Sequence, residues 1–105
     1  MNDDFYTLAF WKVKENNRLE FIDLWKKELS SAFIEVNPYA IGTLIQSLDN
    51  PNIFYSFGPW SNLSLMQNAR ANKKVRSVIA RLSSLCEEAK PGSFKKILTV
   101  TGNKL

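Results

Sequence analysis

The spacing of apolar residues predicts an α+β domain: a ferredoxin-like, four-stranded antiparallel sheet with helices on one face. Three observations carry this. Aromatic and β-branched runs, the mark of strands, recur at Phe5–Val13, Ile41–Leu48, Ile53–Phe57 and Phe94–Val100. Between them, two long stretches repeat apolar residues every three or four positions, as a helix with one buried face does. The order that results, β-α-β-β-α-α-β, is the split β-α-β plan.

The elements follow in order. Phe5 to Val13 is the first strand, and the polar Lys14-Glu15-Asn16-Asn17 turns the chain. Asn17 is placed to cap a helix, with Glu20 three residues later completing a capping box. That helix carries Ile22, Trp25, Leu29, Phe33 and Val36 as a stripe, runs to about Glu35 and ends at Pro38. Ile41 to Leu48 and Ile53 to Phe57 form a hairpin across Asp49-Asn50-Pro51-Asn52, and Gly58-Pro59 stops it. Ser61 is placed to cap a short helix bearing Leu63 and Met66, and Asn72 a longer one. The long helix has the clearest periodicity: Val75, Val78, Ile79, Leu82, Leu85, Cys86 and Ala89 share one stripe. Pro91-Gly92 closes it before the last strand, Phe94–Val100.

The 105 residues read as one domain, 1–105, with a core over about 5–100 and no repeat or linker. No apolar run nears the ~18 residues that span a membrane. Met1-Asn2-Asp3-Asp4 places acid where a secretory leader carries base, so the cytoplasm is the expected compartment. With no histidine and a single cysteine, the chain lacks the residues for Ser-His-Asp triads, Cys-His dyads, the familiar zinc sites or a histidine-held haem. Cys86 reads as a packed thiol.

Charge is divided unevenly. Residues 1–60 hold 5 basic and 8 acidic side chains, and residues 61–105 hold 9 and 2. Arg70, Lys73, Lys74, Arg76 and Arg81 fall in a stretch without acid. Such a run attracts anions or simply solvates a helix face.

Both faces of the sheet are apolar. Phe5, Ala9, Trp11 and Val13 share one parity, and Tyr6, Leu8 and Phe10 the other. An antiparallel sheet ordinarily leaves one face polar and wet. Helices from one chain cover only one face, so a second copy is expected to cover the other as a homodimer. Tyr55, Phe57 and Trp11 are the residues expected at that contact.

Phe5-Tyr-Thr-Leu-Ala-Phe-Trp-Lys-Val13, a helix with Phe21 and Trp25, and Phe54-Tyr-Ser-Phe-Gly-Pro-Trp60-Ser61 together resemble the antibiotic biosynthesis monooxygenase (ABM) domain. Gly42 and Pro91-Gly92-Ser93 suit the same family, and the resemblance runs from about Phe5 to Val100. It implies a dimeric α+β barrel. Some members oxidise polyphenolic or anthrone-like aromatics with O₂, using the substrate's own carbanion and no metal or flavin. Others degrade haem with a histidine this chain lacks. The function so implied is a cofactor-independent monooxygenase for a small aromatic substrate, with no cofactor. The alternative is a non-catalytic, small-molecule-binding dimer, since no general base is evident and no catalytic residue stands out.

The family's pocket lies between sheet and helices. Its candidates here are Trp60 for packing an aromatic, Tyr55, Ser56 and Tyr39 for hydrogen bonding, and Arg70 for an anionic oxygen. Each has a plainer reading: Trp60 as a core anchor, Tyr55 as an interface residue, Tyr39 as part of a loop. An RNA-binding module is a third reading, with Phe54, Tyr55 and Phe57 as stacking residues beside the basic run. The missing Lys/Arg-Gly-aromatic signature, and the use of the same face for dimerisation, argue against it.

Overall fold

The computed structural model describes residues 4–102; the acidic Met1–Asp3 start lies outside them. Strands β1 (Phe5–Val13), β2 (Thr43–Gln46), β3 (Ile53–Trp60) and β4 (Cys86–Lys95) form one antiparallel sheet in the order β2-β3-β1-β4. Helices α1 (Arg18–Leu24), α2 (Ser30–Val36), α3 (Leu63–Ala71) and α4 (Lys73–Ser84) supply the second layer. The α+β, ferredoxin-like arrangement expected from the sequence is therefore the one observed. No helix among the described residues is long and apolar enough to cross a membrane.

Helices α1 and α2 belong to one rod. A 3₁₀ turn at Glu15–Asn17 opens it, and a π-turn at Trp25–Leu29 joins its two halves. The expected capping box does not form. Asn17 makes no side-chain cap and instead donates its amide to the Leu85 carbonyl at 3.3 Å, tying the rod's start to the end of α4. Asn62, not Ser61, caps α3 by accepting the Leu65 N–H at 3.2 Å. Asn72 caps α4 as expected, accepting from Val75 at 3.0 Å.

Three strand boundaries differ from the sequence expectation. β2 is shorter because the Ser47 hydroxyl accepts the N–H groups of Asp49 and Asn50, at 3.1 and 3.0 Å, and starts the turn early. β3 continues through Gly58-Pro59 to Trp60 because β1 pairs with it along that whole length, from Trp11↔Phe54 to Phe5↔Trp60. β2 has ended by then, so Pro59 sits where no neighbour needs its missing N–H. Gly58 is required for another reason: a Cβ there would lie 2.4 Å from the Ile41 carbonyl oxygen.

The last strand is displaced most. It spans Cys86–Lys95 rather than Phe94–Val100, and α4 stops at Ser84 instead of running through Ala89. The ladder with β1, from Val13↔Cys86 to Phe5↔Lys95, outweighs the helical spacing of Leu85, Cys86 and Ala89. Because β4 is an edge strand, Pro91 is tolerated within it. Beyond Lys96, whose N–H reaches the Asp4 carbonyl at 2.7 Å, the chain leaves the sheet and Ile97, Leu98 and Val100 are exposed.

The core lies between the sheet's inner face and the helices. Trp11, Phe21 and Phe54 interlock there, with ring centroids 5.4 and 5.2 Å apart, under Val75, Val78 and Leu82 of α4. Full burial of such side chains stabilises by about 1.5–3 kcal/mol each. Cys86 is buried and accounts for part of this packing, as expected, but from β4 rather than from a helix. Its thiol donates towards the Leu82 carbonyl at 3.3 Å, and burial raises its pKa to about 11, opposed weakly by nearby Lys14.

Candidate functional site

A cavity of about 370 Å³ opens between the inner sheet face and the helices. Its volume falls within the ordinary range for small-molecule sites. β1 and β3 place Thr7, Ser56 and Trp60 on its wall, the helical rod contributes Trp25 and Phe33, and α3 contributes Arg70. Period two along the strands explains the set. Thr7, Ala9 and Trp11 share the inner parity of β1, and Phe54, Ser56, Gly58 and Trp60 share that of β3.

The polar atoms of the wall are few and mostly engaged. Trp11 donates its indole N–H to the Ser56 hydroxyl at 2.9 Å, deep in the structure. Trp60 donates in the same way to the Thr7 hydroxyl at 3.2 Å, while its ring leans on Phe33 with centroids 5.8 Å apart. Each hydroxyl accepts one indole and keeps its own proton to donate. The Arg70 guanidinium donates to the Ser93 hydroxyl at the end of β4. The Trp25 indole nitrogen is sheltered and finds no acceptor among the described residues. An unmatched buried donor costs about 1–3 kcal/mol, so Trp25 stands apart from the other two tryptophans.

Among the described residues, no aspartate, glutamate or histidine lines the cavity, and Arg70 is its one charged residue. Among the described residues, no group of three or more His, Cys, Asp and Glu side chains gathers as metal ligands would. The wall can therefore hold an apolar ring system and donate hydrogen bonds to its oxygens. It offers no side chain suited to remove a proton.

Of the pocket candidates named from sequence, the structure brings Trp60, Ser56 and Arg70 to one cavity. Tyr55 and Tyr39 are not on its wall. Tyr55 points from the opposite face of the sheet, 42% exposed, where its ring meets Phe10 edge-on at 5.4 Å. Tyr39 is 86% exposed in the loop after α2, where its backbone N–H donates to the Asn37 side chain. Trp11, expected on the partner-facing side with Tyr55 and Phe57, lies on the inner side and is 1% exposed. The cause is register: Trp11 pairs with Phe54, so it cannot share a face with Tyr55.

Thr7 and Trp25 complete the wall without having been named as pocket candidates. In the sequence Trp25 is one member of a core stripe, and Thr7 one small residue in an aromatic strand. The basic run is largely absorbed by structure. Lys74 pairs with Glu35, and Arg81 holds Glu28 through two bonds of 2.5 and 2.9 Å. The Arg81 hydrogen bond lowers the Glu28 pKa, and the same bond raises that of Arg81. Both pairs fasten α4 to the helical rod.

No family model matches the sequence, and no curated protein matches it. Solved structures do. The chain superposes on a variant of SnoaB, a cofactor-independent oxygenase from Streptomyces nogalater, with a TM-score of 0.77 and 18% identity over 94% of this chain and 98% of that one. An antibiotic biosynthesis monooxygenase gives a TM-score of 0.71 at 10% identity, over 90% of this chain and 99% of that one. A conserved protein of unknown function from Bacteroides thetaiotaomicron gives 0.72 at 20% identity, covering 90% and 100%. At these identities the likeness establishes a shared fold, and the chemistry has to be argued from the residues.

Proposed function

We propose that this chain is a cofactor-independent monooxygenase that oxidises a small aromatic substrate with O₂, and that it works in the cytoplasm as a homodimer. The observation carrying this reading is the cavity itself, walled by Trp25, Phe33 and Trp60 and furnished with hydrogen-bond donors. SnoaB, which shares the fold, is described as a cofactor-independent oxygenase.

The residues suit such a reaction in a particular way. Apolar walls keep water from reactive intermediates. The Ser56 and Thr7 hydroxyls and the Arg70 guanidinium would stabilise negative charge on a phenolic or enolic oxygen. No wall residue among those described is a general base, so the substrate must carry a C–H acidic enough to lose its proton to water or buffer. The resulting carbanion gives electrons to O₂, and the peroxide formed on that carbon collapses to a carbonyl and water.

The dimer would form through the outer face of the sheet. Tyr6, Leu8, Phe10, Tyr55 and Phe57 lie there with Phe94, which is 51% exposed. A standard interface buries about 800 Å² per partner, within reach of a four-stranded face. Association would remove much of this apolar surface from water.

Oxygen uptake with anthrone tests the activity. The expected result is O₂ consumption above the spontaneous rate, proportional to protein, with one O₂ used per anthraquinone formed. Anthrone that binds without faster uptake would instead support the binding-protein reading, which the missing base favours.

A further inference from the structure

The cavity has two unlike ends. Its aromatic end lies toward β2 and β3: Trp60 belongs to β3, and the Trp25 ring rests on Gly42, just before β2. Its charged end lies at the opposite edge of the sheet. Arg70, in the last turn of α3, donates to the Ser93 hydroxyl of β4. Ser93 pairs with Thr7, so both project from the inner face, and the bond holds the Arg70 guanidinium over that face. Met66 and Ala69, buried against Trp60, seat this part of α3 beside the cavity.

Between the two ends the sheet is low. Gly58, Thr7 and Ser93 make one row across β3, β1 and β4, and Ser56, Ala9 and Pro91 make the next. None of the six carries a large side chain. Two strand steps of about 4.8 Å separate β3 from β4, a span that suits a two-ring aromatic lying across the strands.

Arg70 also differs from its neighbours in the basic run. Lys74 and Arg81 are neutralised by Glu35 and Glu28. Among the described residues no carboxylate pairs with Arg70, and the hydroxyl it holds carries no charge. A guanidinium presents five N–H donors in a planar fork that matches a carboxylate. One bond to Ser93 leaves it both donors and its full charge.

We propose that Arg70, steadied by Ser93, anchors a carboxylate, and that the cavity takes aromatic carboxylic acids lying across the strands with the acid group at β4. The inference rests on the aromatic-cavity reading above and adds which end of the ligand is charged and what holds it. An acid in this orientation gains a charge-assisted contact that a neutral ring of the same shape lacks.

Calorimetric titrations at neutral pH with 2-naphthoate and 2-naphthamide compare one ring system with and without the charge. The wild type is expected to bind 2-naphthoate about fivefold or more tightly than the amide. Arg70→Gln should remove that preference by weakening 2-naphthoate, with 2-naphthamide changed by less than about twofold. Lys95→Gln, two residues beyond Ser93 on the same face of β4, should keep it.

Equal affinity of the wild type for the two probes, or a preference that survives Arg70→Gln, would overturn the anchor while leaving the aromatic cavity standing. So would loss of the preference in Lys95→Gln, which would move the acid one row along β4. Arg70 is exposed, so its variant should fold, as circular dichroism would check. Should it not, Ser93→Ala takes its place: freeing the guanidinium should cut the preference, and an undiminished one would overturn the anchor. If neither probe binds the wild type, the aromatic-cavity reading itself falls, and the inference with it.

Discussion

The two faces of the sheet are both aromatic, yet they are built for different work. On the inner face each tryptophan indole of β1 and β3 is matched to a hydroxyl on the neighbouring strand, Trp11 to Ser56 and Trp60 to Thr7. On the outer face the aromatics meet edge to ring, as Phe10 and Tyr55 do, with Lys90 lying 5.9 Å over Phe10. Cross-strand hydrogen bonds hold rings in fixed orientations around a cavity. Ring-on-ring contact makes a broad surface with few directional demands. The difference is one residue of strand parity, and it separates a face that lines a cavity from a face that is open and aromatic.

Substitutions that treat the two faces alike should therefore give unlike results. The largest effect is expected on the inner face. Trp11→Ala removes a fully buried ring and leaves the Ser56 hydroxyl without its donor, and should cost about 3–5 kcal/mol. Thermal unfolding followed by circular dichroism should show a correspondingly large fall in Tm; a small change would mean that the inner face tolerates a void. On the outer face, Tyr55→Lys should leave folding almost intact and split the proposed homodimer, shifting a native mass spectrum from twice 12.0 kDa to 12.0 kDa. Persistence of the dimer would move the contact to another surface. Trp60→Phe should act most mildly. It keeps a ring against Phe33 but gives up the bond to Thr7, so Tm should fall by no more than a few degrees, about 1 kcal/mol, while affinity for an aromatic probe drops several-fold. An unchanged affinity with a lower Tm would make Trp60 a core anchor.

Hydropathy could not distinguish those faces. Leu8 and Phe10 are as apolar as Ala9 and Trp11, so the alternation that ordinarily marks inside from outside carries no contrast in β1. That is why Trp11 was expected beside Tyr55. The first strand, the helical rod, the Asn72 cap and the hairpin turn were legible because each depends on local chemistry. The fourth strand was not: Leu82, Leu85, Cys86 and Ala89 keep helical spacing, and only pairing with β1 draws the last two into the sheet. Within the cavity, Trp60, Ser56 and Arg70 were legible through the resemblance of the Phe54–Ser61 segment to a family. Trp25 was hidden by the regularity of its own stripe, since spacing shows that a residue is buried and says nothing of whether its N–H is matched.

The position of Cys86 at the seam between α4 and β4 gives the molecule an internal tamper seal. Burial pushes the Cys86 thiol up to about 11 and packs it between the last helical turn and the sheet, so at neutral pH alkylating and oxidising reagents meet little of the reactive anion. A parting of the last turn of α4 from the start of β4, where the sulfur meets the Leu82 carbonyl at 3.3 Å, would open it to reagents. Each modified thiol would then record one such parting, in a chain whose sequence holds no second cysteine to confuse the count.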